Sequence, residues 1–240
     1  CRPMVHALLA IISRSTVLAC AALSLLALPP LVLGQSIAFT FDDGPDMADT
    51  IGLSPSARNE AILRQLAQAH LKSILFVTRT DSDPKRIALI RRWGLEGHEI
   101  GNHTATHPDF DETNLNDYER DLMICDTALR DLPGFTRRFR YPYLKEGNTI
   151  EKRDGLRAFL DSNDYKTGPV SIDASDWYYS TRLSARLRKN RHIQTDQYKN
   201  AYLRHLFDRA QYYDGLSRSV LGRSVSHVLL LHHNLINALF

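Results

Sequence analysis

The chain has 240 residues, 43% of them hydrophobic and 24% charged, with a formal net charge of +3. That length suits one domain with a sizeable core, and no repeat or low-complexity tract argues for two. The charge is too weak to point to nucleic acid, and the composition is ordinary for a soluble globular protein.

Residues 1–34 read as a secretory signal peptide. No charge lies between Arg14 and Asp42, Val17 to Leu28 is an apolar run, and Pro29 and Pro30 break any helix. Val32 and Gly34 then occupy the −3 and −1 positions of a small-residue cleavage site before Gln35. The run is shorter than the ~20 residues a spanning helix needs, so membrane attachment is expected only if the segment stays uncleaved. Val17-Leu18-Ala19-Cys20 faintly resembles a lipoprotein site, but apolar sequence continues past the cysteine. The chain opens on Cys1, with Met4 close behind, so the true start is open. Cleavage after Gly34 removes two basic residues and no acidic one, leaving a net +1 and Cys125 as the remaining cysteine. The expected product is an exported, monomeric domain over residues 35–240 without an internal disulfide.

Past that segment, strand-like and helix-like stretches alternate. Ser36 to Phe41 is a short apolar run stopped by Asp-Asp-Gly-Pro. Ser54-Pro55 opens a helix with a cap and a first-turn proline, and Ile62, Leu66 and Ala69 mark its buried stripe. Lys72 to Val77 reads as strand, Pro84 to Trp93 as helix, and Glu99 to Asn102 as a strand end. Leu115 to Leu132 reads as helix, with Tyr118, Leu122, Cys125 and Leu129 on one face, which makes Cys125 a core residue rather than a nucleophile. Ser171 to Ile172 and His227 to Leu231 are later strands. This alternation implies an α/β fold of parallel strands joined by helices, in an open sheet or a barrel, where chemistry gathers at the C-terminal strand ends. From Arg182 to Arg223 ten Lys or Arg face three Asp, a local +7. A solvated helical face accounts for that run; steering toward an anionic polymer is the alternative.

Two polar clusters follow apolar runs. In Thr40-Phe41-Asp42-Asp43-Gly44-Pro45, adjacent carboxylates at a strand end point apart, so one can bind a cation while the other takes a proton. The same residues also make a good turn. In His103-Thr104-Ala105-Thr106-His107, two histidines four apart share one face of a helical turn and can reach one metal. Thr104 stands where zinc proteases of that spacing carry Glu, which argues against a peptidase. With Asp43 the set becomes two His and one carboxylate, leaving positions for water and substrate. His98 has no partner at ligand spacing and reads as a structural histidine.

Five ordered motifs resemble the polysaccharide deacetylase family, which includes nodulation chitooligosaccharide deacetylases and peptidoglycan and chitin deacetylases. They are Thr-Phe-Asp-Asp-Gly-Pro at 40–45, His-Thr-x-x-His at 103–107, Arg-x-Pro-Tyr at 140–143, Asp-x-x-Asp-Trp at 173–177 and Leu-Leu-Leu-His at 229–232. The resemblance implies a distorted parallel β/α barrel, incomplete if the chain is cut short, with 35–240 as the catalytic domain. It implies a catalytic base at Asp42, metal ligands at Asp43, His103 and His107 (usually for zinc, with cobalt or another divalent ion an alternative), and an arginine at Arg140 that pairs with the base. Tyr143 matches the backbone donor to the oxyanion, Asp176 the carboxylate that tunes the acid, Trp177 and Leu230 the apolar walls of the acetyl site, and His232 the general acid. The implied activity is metal-dependent removal of acetyl groups from a polysaccharide or oligosaccharide containing N-acetylglucosamine. The alternatives are an O-acetylxylan esterase, a non-catalytic carbohydrate-binding relative, disfavoured because base, ligands and acid are all present, and a related metal-dependent hydrolase of small amides, disfavoured by the expected export.

Two departures from the family pattern stand out. His233 follows the acid where many relatives have Asp. The chain also stops eight residues past His232, so Leu235, Ile236, Leu239 and Phe240 are expected to be exposed for want of a partner helix.

Overall fold

The computed structural model describes residues 36–48, 50–78 and 83–240; the signal peptide expected at 1–34 lies outside them. Strand β1 (Ile37–Asp42) leads by way of helix α1 (Pro55–Gln68) to β2 (Ile74–Val77). Helix α2 (Pro84–Leu95), β3 (Glu99–Asn102), α3 (Leu115–Leu129) and β4 (Phe135–Phe139) continue the alternation. A 3₁₀ turn at Pro142–Leu144 precedes α4 (Ile150–Ser162), and β5 (Lys166–Thr167) and β6 (Ile172–Asp173) are two-residue strands. Helices α5 (Asp176–Lys189) and α6 (Asp196–Leu221) follow, then β7 (His227–His232) and the short α7 (Leu235–Leu239).

The seven strands form one sheet in the order β5-β4-β3-β2-β1-β7-β6, every neighbouring pair parallel. Curled and left open between β5 and β6, it is a half-barrel, the distorted parallel β/α barrel type expected. Local sequence explains where the helices begin. Ser54 Oγ accepts from Ala57 N at 3.2 Å, Asp83 from Lys85 N at 3.0 Å and Thr149 from Lys152 N at 3.2 Å. Each cap satisfies one of the amides a first turn leaves unpaired, typically for about 1 kcal/mol.

One face of the sheet packs under helices. Phe41, Leu75, Val77, Ile100, Leu229 and Leu231 meet Ile62, Leu63, Leu66, Ile90, Trp93, Cys125 and Leu129 in the main core. Each fully buried large side chain there contributes about 1.5–3 kcal/mol. Cys125 is buried as expected, and that burial pushes its thiol up to about 12, which leaves it inert. Ala69 is instead an exposed C-cap residue, because the helix ends at Gln68 and Leu63 completes the stripe. The alternate strand positions Thr40, Asp42, Leu230 and His232 lie on the opposite, concave face.

The expectation of an exposed apolar end does not hold. Leu235 and Ile236 are buried in a cluster with Leu183, Leu187 and Tyr202, and Leu239 and Phe240 pack against it. The reason lies in α5 and α6, which sequence periodicity did not delimit and which supply the covering surface. The basic 182–223 segment forms most of these two helices. No described helix is long and apolar enough to cross a membrane.

Candidate active site

Five loops at the C-terminal ends of β1, β3, β4, β6 and β7 meet at one lip of the half-barrel. Among the described residues, eight non-glycine residues have positive φ, and Asp43, Thr104, His107, Tyr143, Leu144 and Ser175 all belong to these loops. Backbone conformations of this kind cost energy and persist where the surroundings impose them.

At the end of β1, Asp42 points into the concave face and is 3% exposed. Asp43, at φ 60°, turns the next carboxylate away from it. The two acids therefore point apart, as their adjacency implied, Asp42 to Arg140 and Asp43 to His107, while both approach His103 Nε2. Asp42 Oδ1 accepts from Arg140 Nη1 at 2.8 Å, and its Oδ2 lies 3.7 Å from His103 Nε2. Asp43 Oδ1 lies 3.6 Å from His103 Nε2 and 3.4 Å from His107 Nε2.

The two histidines converge by a different route from the one expected. Residues 103–107 form no helical turn; Thr104 at φ 66° and His107 at φ 56° fold them into a loop. His103 Nδ1 donates to the Arg140 carbonyl at 2.7 Å, which leaves the Nε2 lone pair facing Asp43. Burial, outweighing the nearby Asp43 charge, holds His107 below its ordinary pKa and so neutral. One ligand atom from each of Asp43, His103 and His107 lies within 4.8 Å of the others. Ligands about 2.1 Å from a tetrahedral divalent ion stand about 3.4 Å apart, close to the spacings seen here. Asp43 Oδ1 is buried without a hydrogen-bond partner. A cation would satisfy that oxygen, so the residues present fit one.

Arg140 is fixed on every side. Besides Asp42, it donates to Thr40 Oγ1 at 2.7 Å and through Nε to the Gly168 carbonyl at 3.0 Å, and its guanidinium lies 4.2 Å from the Phe76 ring centroid. A Cβ on Gly168 would come within 2.5 Å of Phe76 Cζ, so only glycine lets that carbonyl and that ring approach the same arginine.

Across the cleft, His232 Nδ1 lies 2.7 Å from Asp176 Oδ1, and Asp176 Oδ2 accepts from the His232 amide at 2.8 Å. Burial of His232 opposes its charge, but the Asp176 hydrogen bond and charge, with help from Asp42 and Asp43, raise its pKa to about 9. Asp43, His107, Trp177 and His232 line a cleft of about 620 Å³ that extends along Ser180, Thr181, Ser184 and Arg188 of α5. Trp177 is 54% exposed and Tyr143 61%, the latter with its ring edge-on to His107 at 4.6 Å. Leu230 is buried two residues before His232, on the same side of β7. His98, buried with Nδ1 accepting from Ser73 N at 3.2 Å, is the structural histidine expected.

Three supporting residues escaped the sequence reading. Asp121 on α3 accepts from the amides of Ala105 and Thr106, both at 2.9 Å, and from Thr106 Oγ1 at 3.0 Å. Asn102 accepts from Thr104 N at 2.8 Å and donates to Tyr165 Oη at 3.0 Å. Asn237 reaches Asp176 Oδ2 at 2.6 Å. Asp121 and Asn237 lie on helices remote in sequence from the motifs they serve, and no local spacing marks them.

A parallel β/α half-barrel thus carries an Asp/His/His cluster that could hold a divalent metal, backed by a buried Asp–Arg pair and faced across the cleft by an Asp–His pair. The polysaccharide deacetylase family model matches residues 32–158, more than half of the chain, and the protein belongs to that family. Among curated relatives, it is 31% identical over 142 residues to a peptidoglycan-N-acetylglucosamine deacetylase of Bacillus cereus, covering 59% of this chain and 46% of that one. It is 35% identical over 95 residues to a chitooligosaccharide deacetylase of Sinorhizobium fredii, covering 40% of each. The matched region thus spans less than half the length of these two relatives. Solved structures share the fold: a polysaccharide deacetylase from Bacillus cereus (TM-score 0.58, 21% identity, 83% of this chain and 80% of that one) and the chitin deacetylase of Colletotrichum lindemuthianum (TM-score 0.56, 20% identity, 85% and 76%).

Proposed function

We propose that this protein is a metal-dependent hydrolase that removes acetyl groups from a polysaccharide containing N-acetylglucosamine, and that it acts outside the cell. One observation carries the reading: Asp43 and His107 of the Asp/His/His cluster and the carboxylate-paired His232 line one cleft, and the arginine-held Asp42 lies directly behind the cluster, 3.7 Å from His103 Nε2. Family membership and relatives that act on peptidoglycan or chitooligosaccharides support the substrate class.

Asp43, His103 and His107 would hold the divalent ion, most simply zinc given two imidazoles and one carboxylate. When bound, such an ion lowers the pKa of water to about 7 and polarises a carbonyl. Asp42 is the base: Arg140 occupies Oδ1, so Oδ2, turned toward His103, is the oxygen that takes the proton. The Tyr143 backbone N–H, in the left-handed turn beside His107, donates to the developing oxyanion, typically the largest stabilising contribution in acyl transfer. Trp177 and Leu230 wall the acetyl group. His232, protonated at neutral pH, passes its Nε2 proton to the leaving amine while Nδ1–H stays on Asp176.

Acetate release should be measured with zinc across chitin oligomers, peptidoglycan and acetylxylan. Release from the first two supports the proposal. Release from acetylxylan alone makes the protein an esterase, and release from none, with glycan binding retained, makes it a binding protein.

A further inference from the structure

Asp176 is fully buried, yet four hydrogen bonds converge on it. Oδ1 takes His232 Nδ1–H at 2.7 Å. Oδ2 takes the His232 amide at 2.8 Å, Asn234 Nδ2 at 2.8 Å and Asn237 Nδ2 at 2.6 Å. Asn237 also donates to the His232 carbonyl at 2.9 Å, so one amide group spans the side chain of Asp176 and the backbone of the histidine paired with it.

The amide orientation of Asn237 follows from its partners. A carboxylate and a carbonyl only accept, so Nδ2 must face them and Oδ1 must face away. Oδ1 receives the Tyr202 hydroxyl, which comes from α6. Burial and the Asp176 charge hold the Tyr202 phenol above its ordinary pKa, so that hydroxyl keeps its proton and can donate. Tyr202 is 1% exposed and Asn237 8%, so no water shell stands ready to replace either bond. A chain therefore runs from α6 through α7 and the start of α5 to the end of β7: Tyr202, Asn237, Asp176, His232.

We propose that Asn237, clamped by Tyr202, is a positioning residue for the acid of the reaction: it fixes Asp176 so that His232 is held by Nδ1 and presents Nε2 to the cleft. The inference rests on the deacetylase reading for what His232 does, but its geometric half stands apart from that reading. Without Asn237 the carboxylate keeps the His232 amide and Asn234 on Oδ2 but loses its shortest bond there, so it can shift against Nδ1 and loosen the ring. A buried network of this kind holds its members rigidly when every member is satisfied, and that rigidity is lost with one link.

Tyr202→Phe and Asn237→Ala, made in the full chain, test the chain at two links. Tyr202→Phe removes one oxygen and keeps the ring packed, so it remains decisive if Asn237→Ala fails to fold. Three quantities are read: the melting temperature, kcat and KM on an acetylated chitooligosaccharide with zinc, and the His232 Nδ1–H resonance by ¹H–¹⁵N NMR without metal. In Tyr202→Phe, kcat should fall roughly tenfold, a small part of the roughly 100- to 10,000-fold a positioned general acid contributes, with KM within about twofold of wild type. The Nδ1–H resonance should broaden or shift. A folded Tyr202→Phe that keeps the wild-type resonance overturns the proposal, whether kcat falls or not, because the ring is then held without the clamp. If the wild-type protein releases no acetate from any substrate, the deacetylase reading fails, and the resonance alone decides the geometry.

Discussion

Asp42 and His232 are register partners at the ends of β1 and β7. Paired residues of adjacent parallel strands point to the same side of a sheet, with backbones about 4.8 Å apart. The two groups proposed as base and acid are thus placed by backbone hydrogen bonding rather than by loops. The acid side is further set by Asp176, whose bond to Nδ1 keeps His232 protonated well above the ordinary histidine range.

That pairing fixes the sign of a pH effect. A histidine whose folded pKa is raised from about 6.5 contributes stability that is complete below 6.5 and is lost as pH rises through the folded value. For His232 the window closes at about 9. A bound cation at Asp43 would pull the upper limit down, since Asp43 is one of the charges raising it. The alkaline limb of kcat should therefore lie between about 6.5 and 9 with metal bound. Asp176→Asn should move it toward 6.5 and lower kcat by about 100-fold or more. A limb that ignores Asp176→Asn would remove His232 from the role of acid.

The adjacent carboxylates should separate by function. Asp43→Asn should lower metal occupancy, because it weakens a ligand whose Oδ1 has no other partner. Asp42→Asn should keep occupancy near normal and remove most activity. Metal analysis of the purified variants, with chelation and zinc add-back on wild type, checks both. The opposite pattern of occupancy would mean the two roles are exchanged.

How these residues became legible has a physical basis. Asp42, Asp43, His103, His107, Arg140 and His232 sit at or just past strand ends, where short motifs interrupt apolar runs. The main strands were legible because four-residue apolar segments such as Ile74–Val77 are buried throughout. Strand β4, with Arg137 and Arg138 exposed, carries no such run and was missed. Spacing alone also misled at 103–107, where a helical turn was expected and two left-handed residues were found. The α7 packing could not be read locally, since Leu235 and Ile236 are covered by residues at 183, 187 and 202.

Asp121 gives that loop its shape. It holds two consecutive amides and a hydroxyl between His103 and His107, so the histidine geometry depends on a carboxylate from α3. Asp121→Ala should weaken zinc affinity by about 10- to 100-fold, the usual cost of losing an outer partner of metal ligands. Isothermal titration with zinc measures this directly. Unchanged affinity would show that the loop keeps its shape on its own.

His233 marks the clearest departure from the family pattern, and its surroundings forecast an acid sensitivity. The ring is buried; Nε2–H donates to Asn59 Oδ1 at 3.1 Å, and Nδ1 has no hydrogen-bond partner. Burial, together with the Arg58 guanidinium, holds its pKa down to about 3. A proton here would be stranded in the core beside a cation. The unfolded chain accepts that proton at about 6.5 and the folded chain refuses it, so stability is untouched above 6.5 and declines as pH falls toward 3. The slope for one such group is about 1.4 kcal/mol per pH unit. His98 and His107, also held below their ordinary range, add the same sign, so the informative quantity is a difference between proteins. His233→Asp places a carboxylate near Arg58 and removes the titrating imidazole. Its melting temperature should fall less than that of wild type between pH 6.5 and 4.5, by the equivalent of about one proton. Melting curves for both proteins across that range, without metal, give the comparison. Parallel curves would mean that the folded wild type takes up the proton after all, and that His233 is not held neutral by its surroundings.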